Sequence, residues 1–136
     1  MKETLPEENR NDLIQYRLSR ATETLKEAEL LLNSGFYNAT INRLYYACYY
    51  ATIALFLKHN LVTHTHSGAK TMLGLQFIKT GIFPIEIGKT FSTLFEKRQT
   101  GDYDDFFFCD KEMADELYAE TNKYIQTLSE YINRKQ

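Results

Sequence analysis

The feature that most constrains this chain is a segment with almost no polar side, residues 37–58. Within it, an uncharged stretch runs from Leu44 to Leu57 and contains four tyrosines. A membrane span needs about 18 or more apolar residues, so this stretch is too short for one and no membrane partner is expected. A helix that is apolar nearly all round lies at the centre of a bundle or in an oligomer interface. The segment therefore predicts a helical protein built around one buried helix.

The segment before it has the spacing of an amphipathic helix. Its apolar residues recur in alternating steps of four and three, which places them on one stripe of an α-helix. Gly35 stands where the C-terminus of this first helix is expected. The stripe consists of Ile14, Leu18, Ala21, Leu25, Ala28 and Leu32.

Three more helices follow from capping residues and spacing. Ser67 is predicted to cap a third helix that reaches about Lys79. Pro84 suits the first turn of a fourth helix, which Gly101 is expected to end. Asp110 is predicted to cap the last helix. Since only very short segments alternate with the period of strands, we predict an all-α fold, an antiparallel up-and-down bundle of about five helices.

Length and charge narrow the classes of protein further. The 136 residues fit one domain, so we expect a single domain over residues 1–136 with a polar N-terminal segment at 1–11. The net charge of −2 argues against a general polyanion-coating protein, although it leaves room for a local basic site. Cys48 and Cys109 match no zinc or redox spacing, and the N-terminal segment does not resemble a secretory signal. We expect a cytoplasmic protein with two buried thiols and with neither a metal nor a cofactor.

Arg98 interrupts the apolar stripe of the fourth helix near its C-terminal end. An arginine there can extend into water, interact with the helix dipole, or be held in place to bind a ligand. Asp102 lies one turn further and is either a simple ion-pair partner of Arg98 or part of a site. Gln99, Asp102 and Tyr103 cluster with Arg98 at this helix end, an arrangement that suits recognition of a phosphate or a base.

Asn42 and Arg43 are polar residues at the start of the least polar helix. On a helical wheel, Arg43 shares a face with Tyr46 and Tyr50, and Asn42 shares one with Tyr46 and Tyr49. Buried polar groups have to be paired, so the first interpretation is a structural network of hydroxyl, amide and guanidinium groups. The alternative is a site that hydrogen-bonds a nucleotide while the rings stack on its base.

His64 and His66 are the histidines closest to a metal-binding pattern. Neither has an acidic or cysteine ligand at a helpful spacing, and we therefore predict no metal site. His66 leads into a predicted helix N-terminus, where free backbone N–H groups can bind an anion. Capping by Ser67 alone explains these residues nearly as well.

Several motifs, taken in order, resemble the HEPN domain (higher eukaryotes and prokaryotes nucleotide-binding). The last of them is similar to the R-x-x-x-D-Y signature of small stand-alone bacterial and archaeal members. The resemblance covers nearly the whole chain, and it depends on the order and spacing of motifs that are each weak alone. The motifs are Gly35-Phe36-Tyr37-Asn38-Ala39, Asn42-Arg43-Leu44-Tyr45-Tyr46-Ala47, Thr65-His66-Ser67-Gly68, Phe77-Ile78-Lys79-Thr80-Gly81 and Arg98-Gln99-Thr100-Gly101-Asp102-Tyr103.

The resemblance implies an antiparallel helical bundle that dimerises. Such proteins are commonly encoded beside a minimal nucleotidyltransferase, as the toxin-like half of a toxin–antitoxin pair. Many relatives are metal-independent ribonucleases with an R-x(4–6)-H motif, in which the histidine is the acid or base and the arginine stabilises charge on the phosphate. This chain departs from that motif, because no histidine follows Arg98 and Tyr103 stands where it would begin. A tyrosine, with a pKa of about 10, is a poor base at neutral pH.

We therefore expect a homodimer or higher homo-oligomer that binds a nucleotide or RNA and pairs with a minimal nucleotidyltransferase. Arg98 would hold phosphate, Asp102 would orient Arg98, and Tyr103 would contact the ligand or the partner. The candidate binding residues are Arg98, Gln99, Asp102, Tyr103, Asn42, Arg43 and His66.

Two other functions stay open at this stage. One is a diverged ribonuclease in which His66 or Tyr103 replaces the missing histidine. The other is a helical interaction module with no ligand. Both share the predicted fold, so only the placement and chemistry of the candidate residues can separate them.

Overall fold

The computed structural model describes residues 6–103 and 108–134, and for residues 100–103 it describes the backbone alone. Within these ranges the chain is helical and contains no strand. This architecture confirms the predicted all-α fold of five helices. The elements are α1 (Glu7–Asn33), α2 (Tyr37–Lys58), α3 (His66–Leu73), a π-helical turn at Gly74–Ile78 that we call the π turn, α4 (Ile85–Tyr103) and α5 (Lys111–Ile132).

The tyrosine-rich α2 is the central helix, as its apolar character predicts. It packs against α1, α4 and α5 and also touches α3. Ala47, Ala51 and Ala54 are fully buried on it, and such small side chains let neighbouring helices approach closely. The core therefore forms around α2.

Side-chain hydrogen bonds show that α1 and α2 are antiparallel. Near the start of α1, Arg10 Nη1 donates to Asn60 Oδ1 beyond the end of α2, at 2.9 Å. Near the other end, Arg43 Nη1 donates to Glu27 Oε1 at 3.4 Å. Since the partners run in opposite order along the two helices, the chain reverses direction at the turn between them.

The last helix, α5, runs parallel to α2. Thr52 bonds to Tyr124 and His59 bonds to Tyr131, with the same separation of 72 residues in both pairs. A constant separation means that the two helices point the same way. The contacts Phe83–Tyr131 and Thr90–Glu120 run in opposite order, so α4 is antiparallel to α5. The four long helices α1, α2, α4 and α5 therefore alternate in direction, and the short α3 lies outside this alternation.

Two predicted helix boundaries are wrong. Thr65, not Ser67, is the N-cap of α3, because its Oγ1 accepts the backbone N–H of Gly68 at 2.9 Å. Gly101 does not end α4, which continues to Tyr103. A glycine in a helix interior costs about 1 kcal/mol relative to alanine, but it favours a helix end only where the backbone becomes left-handed.

Three other predicted boundary features can be compared directly. Gly35 has a φ of +83° and follows α1 where a helix end is predicted. Asp110 caps α5 and accepts the Met113 N–H at 2.9 Å, which confirms the prediction. The polar N-terminal segment is helical from Glu7 onward, because α1 begins there.

The described residues include neither a membrane-spanning helix nor a cluster of metal-ligating side chains. None of the helices in these ranges combines the length and hydropathy that crossing a bilayer requires. Nor do three or more His, Cys, Asp or Glu side chains converge there as a metal site would need. Cys48 and Cys109 are both buried free thiols, as predicted, and burial raises the pKa of each.

The central position of α2 predicts a sharp difference between two leucines. Leu55 on α2 is fully buried, whereas Leu30 on α1 is 70% exposed. Leu55→Ala is expected to lower the free energy of unfolding by about 2–5 kcal/mol, because it leaves a cavity. Leu30→Ala should change it by less than about 0.5 kcal/mol. Urea unfolding followed by circular dichroism measures both, and equal losses would contradict the placement of α2.

A candidate nucleic-acid interface

An aromatic patch forms where α2 meets α1, α3 and α4. Residues three and four apart on a helix are neighbours, so four tyrosines of α2 make one contiguous group of rings. His66, the first residue of α3, adds an imidazole to the group, and arginines from three helices surround it. We call this group the tyrosine patch; its rings are Tyr45, Tyr46, Tyr49, Tyr50 and His66.

Tyr45 lies at the bottom of the tyrosine patch and is completely buried. Its ring stacks on that of Tyr49 with centroids 6.0 Å apart. It also contacts Phe91 and Phe95 of α4, at centroid distances of 5.7 and 6.2 Å. Its hydroxyl is 2.6 Å from Nδ1 of His66. One side chain thus connects α2 to both α3 and α4.

The hydrogen bond between Tyr45 and His66 has a defined direction. Among the described residues, Nδ1 of His66 is the sole hydrogen-bond partner of the buried Tyr45 hydroxyl. If that hydroxyl accepted a proton from Nδ1, its own proton would be buried without an acceptor, at a penalty of roughly 1–3 kcal/mol. Tyr45 therefore donates, and Nδ1 of His66 accepts.

This direction fixes the tautomer of His66. In a neutral imidazole one nitrogen accepts while the other carries the proton, so the proton of His66 is on Nε2. Burial first, and the nearby Arg98 cation second, lower the pKa of His66 below its usual 6.5. At neutral pH His66 is therefore an uncharged imidazole that offers an N–H donor.

The start of α3 holds the His66 ring in place. Its centroid is 4.4 Å from that of Tyr49, and the preceding Thr65 caps the helix. Gly68 is necessary for this cap, since a Cβ there would lie 2.6 Å from Thr63 Oγ1 and 2.7 Å from Thr65 Oγ1. The Thr-His-Ser-Gly motif thus sets the position of the imidazole.

Arg98 lies against the tyrosine patch and does not extend away from it. Its guanidinium carbon is 4.9 Å from the ring centroid of Tyr45 and 5.8 Å from that of Tyr46. Its Nη1 also donates to the Tyr46 hydroxyl at 3.4 Å. Guanidinium groups within about 6 Å of a ring centroid are attracted by the π-electrons. The anomalous arginine of the α4 stripe is thus held beside His66.

Arg43 and Asn42 hydrogen-bond to each other beside Tyr46, and among the described residues neither bonds to a tyrosine hydroxyl as the predicted network requires. Asn42 Oδ1 accepts from Nε and Nη2 of Arg43 at 3.2 and 3.0 Å. The guanidinium carbon of Arg43 is 5.2 Å from the ring centroid of Tyr46. Asn42 orients Arg43, and the Tyr46 ring has two guanidinium groups within about 6 Å of its centroid, those of Arg43 and Arg98.

Sequence reasoning missed Arg20 and Arg17 on α1. The guanidinium carbon of Arg20 is 5.5 Å from the ring centroid of Tyr50. Arg17 lies close enough to Tyr49 to oppose the increase that burial causes in the pKa of that phenol. The sequence offered one signal for these two arginines, their spacing of three residues on the polar side of the predicted first helix. It does not reveal which side faces α2.

Two carboxylates partly balance these arginines. Glu27 pairs with Arg43 at 3.4 Å, and Glu23 pairs with Arg20 at 2.9 Å, with both acidic side chains largely exposed. Exposed ion pairs contribute only about 0–1 kcal/mol. An anionic ligand can therefore replace them at little cost.

The remaining candidate residues do not join the patch within the described part of the chain. Gln99 is exposed on α4 beside Arg98. The side chains of Asp102 and Tyr103 lie outside the described residues, so their predicted contacts with Arg98 and with a ligand stay predictions. The structure brings together Arg98, His66, Arg43 and, through Arg43, Asn42.

The donor role of Tyr45 predicts a specific change in His66. Tyr45→Phe removes a hydrogen bond that stabilises the neutral imidazole, so the pKa of His66 should rise and its tautomers should mix. Burial and Arg98 should still hold that pKa below its usual value. Two-dimensional NMR of the imidazole nitrogens against pH measures both quantities. Tyr49→Phe is the matched control, because the Tyr49 ring also packs on His66 but no hydrogen bond joins its hydroxyl to the imidazole. Equal pKa values in all three proteins would refute the direction of the bond.

The lowered pKa of His66 in the wild-type protein makes the stability of the fold depend on pH. The folded protein disfavours protonated His66, whereas an unfolded histidine binds a proton at about pH 6.5. The unfolded state therefore takes up more protons as the pH falls through that value, and the contribution of His66 to stability is lost there.

Comparison with known proteins places this geometry in a family context. The sequence model of the HEPN domain matches residues 14–131. The UPF0332 protein of Thermotoga maritima is 32% identical over 120 residues, which cover 88% of this chain and 91% of that protein. A protein of Methanocaldococcus jannaschii that is named as a candidate toxin is 30% identical over 118 residues, covering 87% of this chain and 80% of that protein. The UPF0332 protein of Gloeobacter violaceus is 28% identical over 116 residues, with coverage of 85% and 92%.

Proposed function

This chain belongs to the HEPN domain family, and on that basis we propose that it is a toxin-like protein that binds single-stranded RNA on its tyrosine patch. The observation that carries this proposal is the placement of guanidinium groups directly on tyrosine rings. Arg98, Arg43 and Arg20 lie 4.9, 5.2 and 5.5 Å from the ring centroids they face. The name of the Methanocaldococcus jannaschii relative supports the toxin-like part.

Aromatic faces and guanidinium forks are the groups that bind unpaired RNA. Bases of single-stranded RNA stack on tyrosine or histidine rings, and each stack contributes about 1–3 kcal/mol. Arginine bonds a phosphate with two parallel N–H groups, which lysine cannot do. Tyr46, Tyr49 and Tyr50 are half-buried, so part of each ring is open to a ligand.

The separation of the three arginines along α2 favours a single strand of RNA over a mononucleotide as the ligand. Arg98 and Arg43 share the Tyr46 ring, and Arg20 lies on Tyr50, one helical turn further along α2. A single nucleotide has its phosphate at one end and would engage one of these positions. A strand presents a phosphate at every nucleotide and would engage them in sequence.

The state of His66 favours binding over catalysis by this residue. A general base needs a nitrogen lone pair directed at the proton it removes, but Nδ1 of His66 already accepts from Tyr45. A general acid has to carry its proton near neutral pH, whereas the lowered pKa of His66 leaves its imidazole uncharged there. In this proposal His66 donates its Nε2–H to a phosphate or base and performs no proton transfer.

The ribonuclease alternative then depends on Tyr103. The binding proposal predicts that metal-free protein, incubated with single-stranded RNA in EDTA until binding is complete, leaves the RNA uncleaved. Cleavage that Tyr103→Phe abolishes would replace the binding proposal with the enzymatic one.

Partners form a separate part of the proposal. Family membership supports a second copy of the chain and a minimal nucleotidyltransferase as partners. Phe36 and Phe108 are 61% and 73% exposed and line one shallow apolar groove with Ala39. Exposed aromatic surface of this kind suits a homodimer contact, and light scattering of the purified chain reports whether the dimer forms.

Arg98 provides the direct test of RNA binding. Arg98→Ala should weaken binding of a fluorescent single-stranded RNA about thirtyfold, equivalent to about 2 kcal/mol, because charge-assisted bonds to phosphate are lost. Arg98→Lys should restore only part of the affinity, since a point charge lacks the fork. Fluorescence anisotropy measures the affinity, and urea unfolding measures stability in parallel.

Arg134 offers a matched control for that experiment. Its guanidinium carbon lies 5.7 Å from the ring centroid of Tyr131, so it forms the same kind of pair away from the patch. Arg134→Ala should bind RNA as the wild type does. The proposal fails if Arg98→Ala binds RNA as tightly as the wild type, or if both variants weaken binding equally.

A further inference from the structure

A second surface, with different chemistry, lies between α3, the π turn and α4. It is an apolar cleft of about 370 Å³. Leu73 and Phe91 form its buried floor, and Ile78 and Ile85 line it at higher exposure. Aliphatic side chains thus dominate its lining, in contrast to the tyrosine patch.

The backbone around this apolar cleft is unusual in two ways. The π turn runs over Gly74–Ile78. Such single π-helical turns are rare in proteins, and those that occur are often found at functional sites. Gly88 of α4 faces it so closely that a Cβ would lie 3.2 Å from Ile78 Cγ1. A side chain at Gly88 would push α4 away from the π turn and change the shape of the cleft.

Three lysines surround the cleft, and the described residues that line it include no carboxylate. They are Lys70, Lys79 and Lys89. Lys70 is 3.9 Å from Glu96 and lies over the Phe95 ring, so part of its charge is directed there. In a chain with a net charge of −2, this local excess of positive charge favours an acidic ligand.

Two carboxylates line a neighbouring groove. Glu86 and Glu120 line that groove together with Lys123, on the side of α4 that faces α5. Lys89 borders both surfaces. The positive charge at the cleft therefore comes chiefly from Lys79 and Lys89, whose side chains are exposed.

The segment from the π turn to the start of α4 carries three exposed apolar side chains. Leu75, Ile82 and Ile85 are 55%, 42% and 58% exposed. Isolated exposed apolar residues are normal, but a cluster within one segment marks an interaction site. Of these three residues, Ile85 lines the cleft itself.

We propose that this cleft docks an amphipathic helix of a partner protein that carries aliphatic side chains on one face and carboxylates beside them. Such helices insert side chains at positions i, i+3, i+4 and i+7 into apolar grooves, and the lysines would pair with the flanking carboxylates. RNA fits this surface poorly, because the described lining residues include no arginine and their one ring, Phe91, has no exposed surface for stacking. The proposal does not depend on RNA binding at the tyrosine patch.

The test uses two synthetic peptides and the full chain. One peptide is an amphipathic helix of about 18 residues with leucine on one face and glutamate on the other; the second has lysine in place of every glutamate. Titration of the labelled protein followed by amide NMR should show the acidic peptide shifting Gly74, Ile85 and Gly88. The basic peptide should bind at least about tenfold more weakly, a difference of about 1.4 kcal/mol.

Surface variants connect the binding to the cleft. Ile85→Asn and Lys89→Glu change exposed side chains and should each weaken the acidic peptide about tenfold, as removal of an interface anchor does. Leu30→Asn and Lys26→Glu are the matched controls on α1 and should have no effect, since both residues are exposed away from the cleft.

Three results would overturn the proposal. The first is equal binding of the two peptides, or amide shifts confined to the tyrosine patch. The second is a single-stranded RNA that shifts the cleft amides and competes with the acidic peptide. The third is a wild-type dimer that Ile85→Asn converts to a monomer in sedimentation velocity, because a second copy would then be the occupant.

Discussion

The candidate site depends on one buried side chain, Tyr45. Its ring supports Arg98 at 4.9 Å and packs on Phe91 at 5.7 Å, and its hydroxyl bonds to His66 at 2.6 Å. Tyr45 lies on α2, the helix around which the core forms, so the position of the imidazole and the guanidinium is fixed by the core itself. Because the hydroxyl is buried with one partner among the described residues, it also decides which nitrogen of His66 carries the proton. A structural contact thus determines the chemistry that the surface offers to a ligand.

The two surfaces of the described chain differ in the chemistry of their cations and in what surrounds them. On the tyrosine patch, arginines lie on half-buried rings, which suits planar bases and forked contacts to phosphate. At the apolar cleft, lysines surround aliphatic side chains, which suits carboxylates carried on an apolar segment. We propose two binding tasks for this chain, that of RNA and that of a partner protein. In our proposals these two tasks fall on separate surfaces, so that the α3–α4 face can hold a partner while the α2 face holds RNA.

The fold could largely be predicted from the sequence, because helical periodicity and the apolar α2 leave few other solutions. The errors were local: Thr65 caps α3 where Ser67 was expected, since either hydroxyl can accept a backbone N–H and only the path of the loop selects one. Arg98 could be found as a polar residue on an apolar stripe. The proximity of Arg98 to His66 could not be predicted, because that proximity depends on how α3 and α4 pack on Tyr45. Arg20 escaped notice for the same reason, since the side of α1 that faces α2 is a property of the packing.

The most direct measurement is a photochemical cross-link between the protein and RNA. A single-stranded RNA containing 4-thiouridine, irradiated on the full chain and analysed by mass spectrometry, marks the side chains that contact its bases. Our account predicts cross-links on Tyr46, Tyr49 or Tyr50, with loss of these products in Arg98→Ala and their retention in Arg134→Ala. Cross-links confined to residues outside the tyrosine patch, or unchanged in Arg98→Ala, would contradict it.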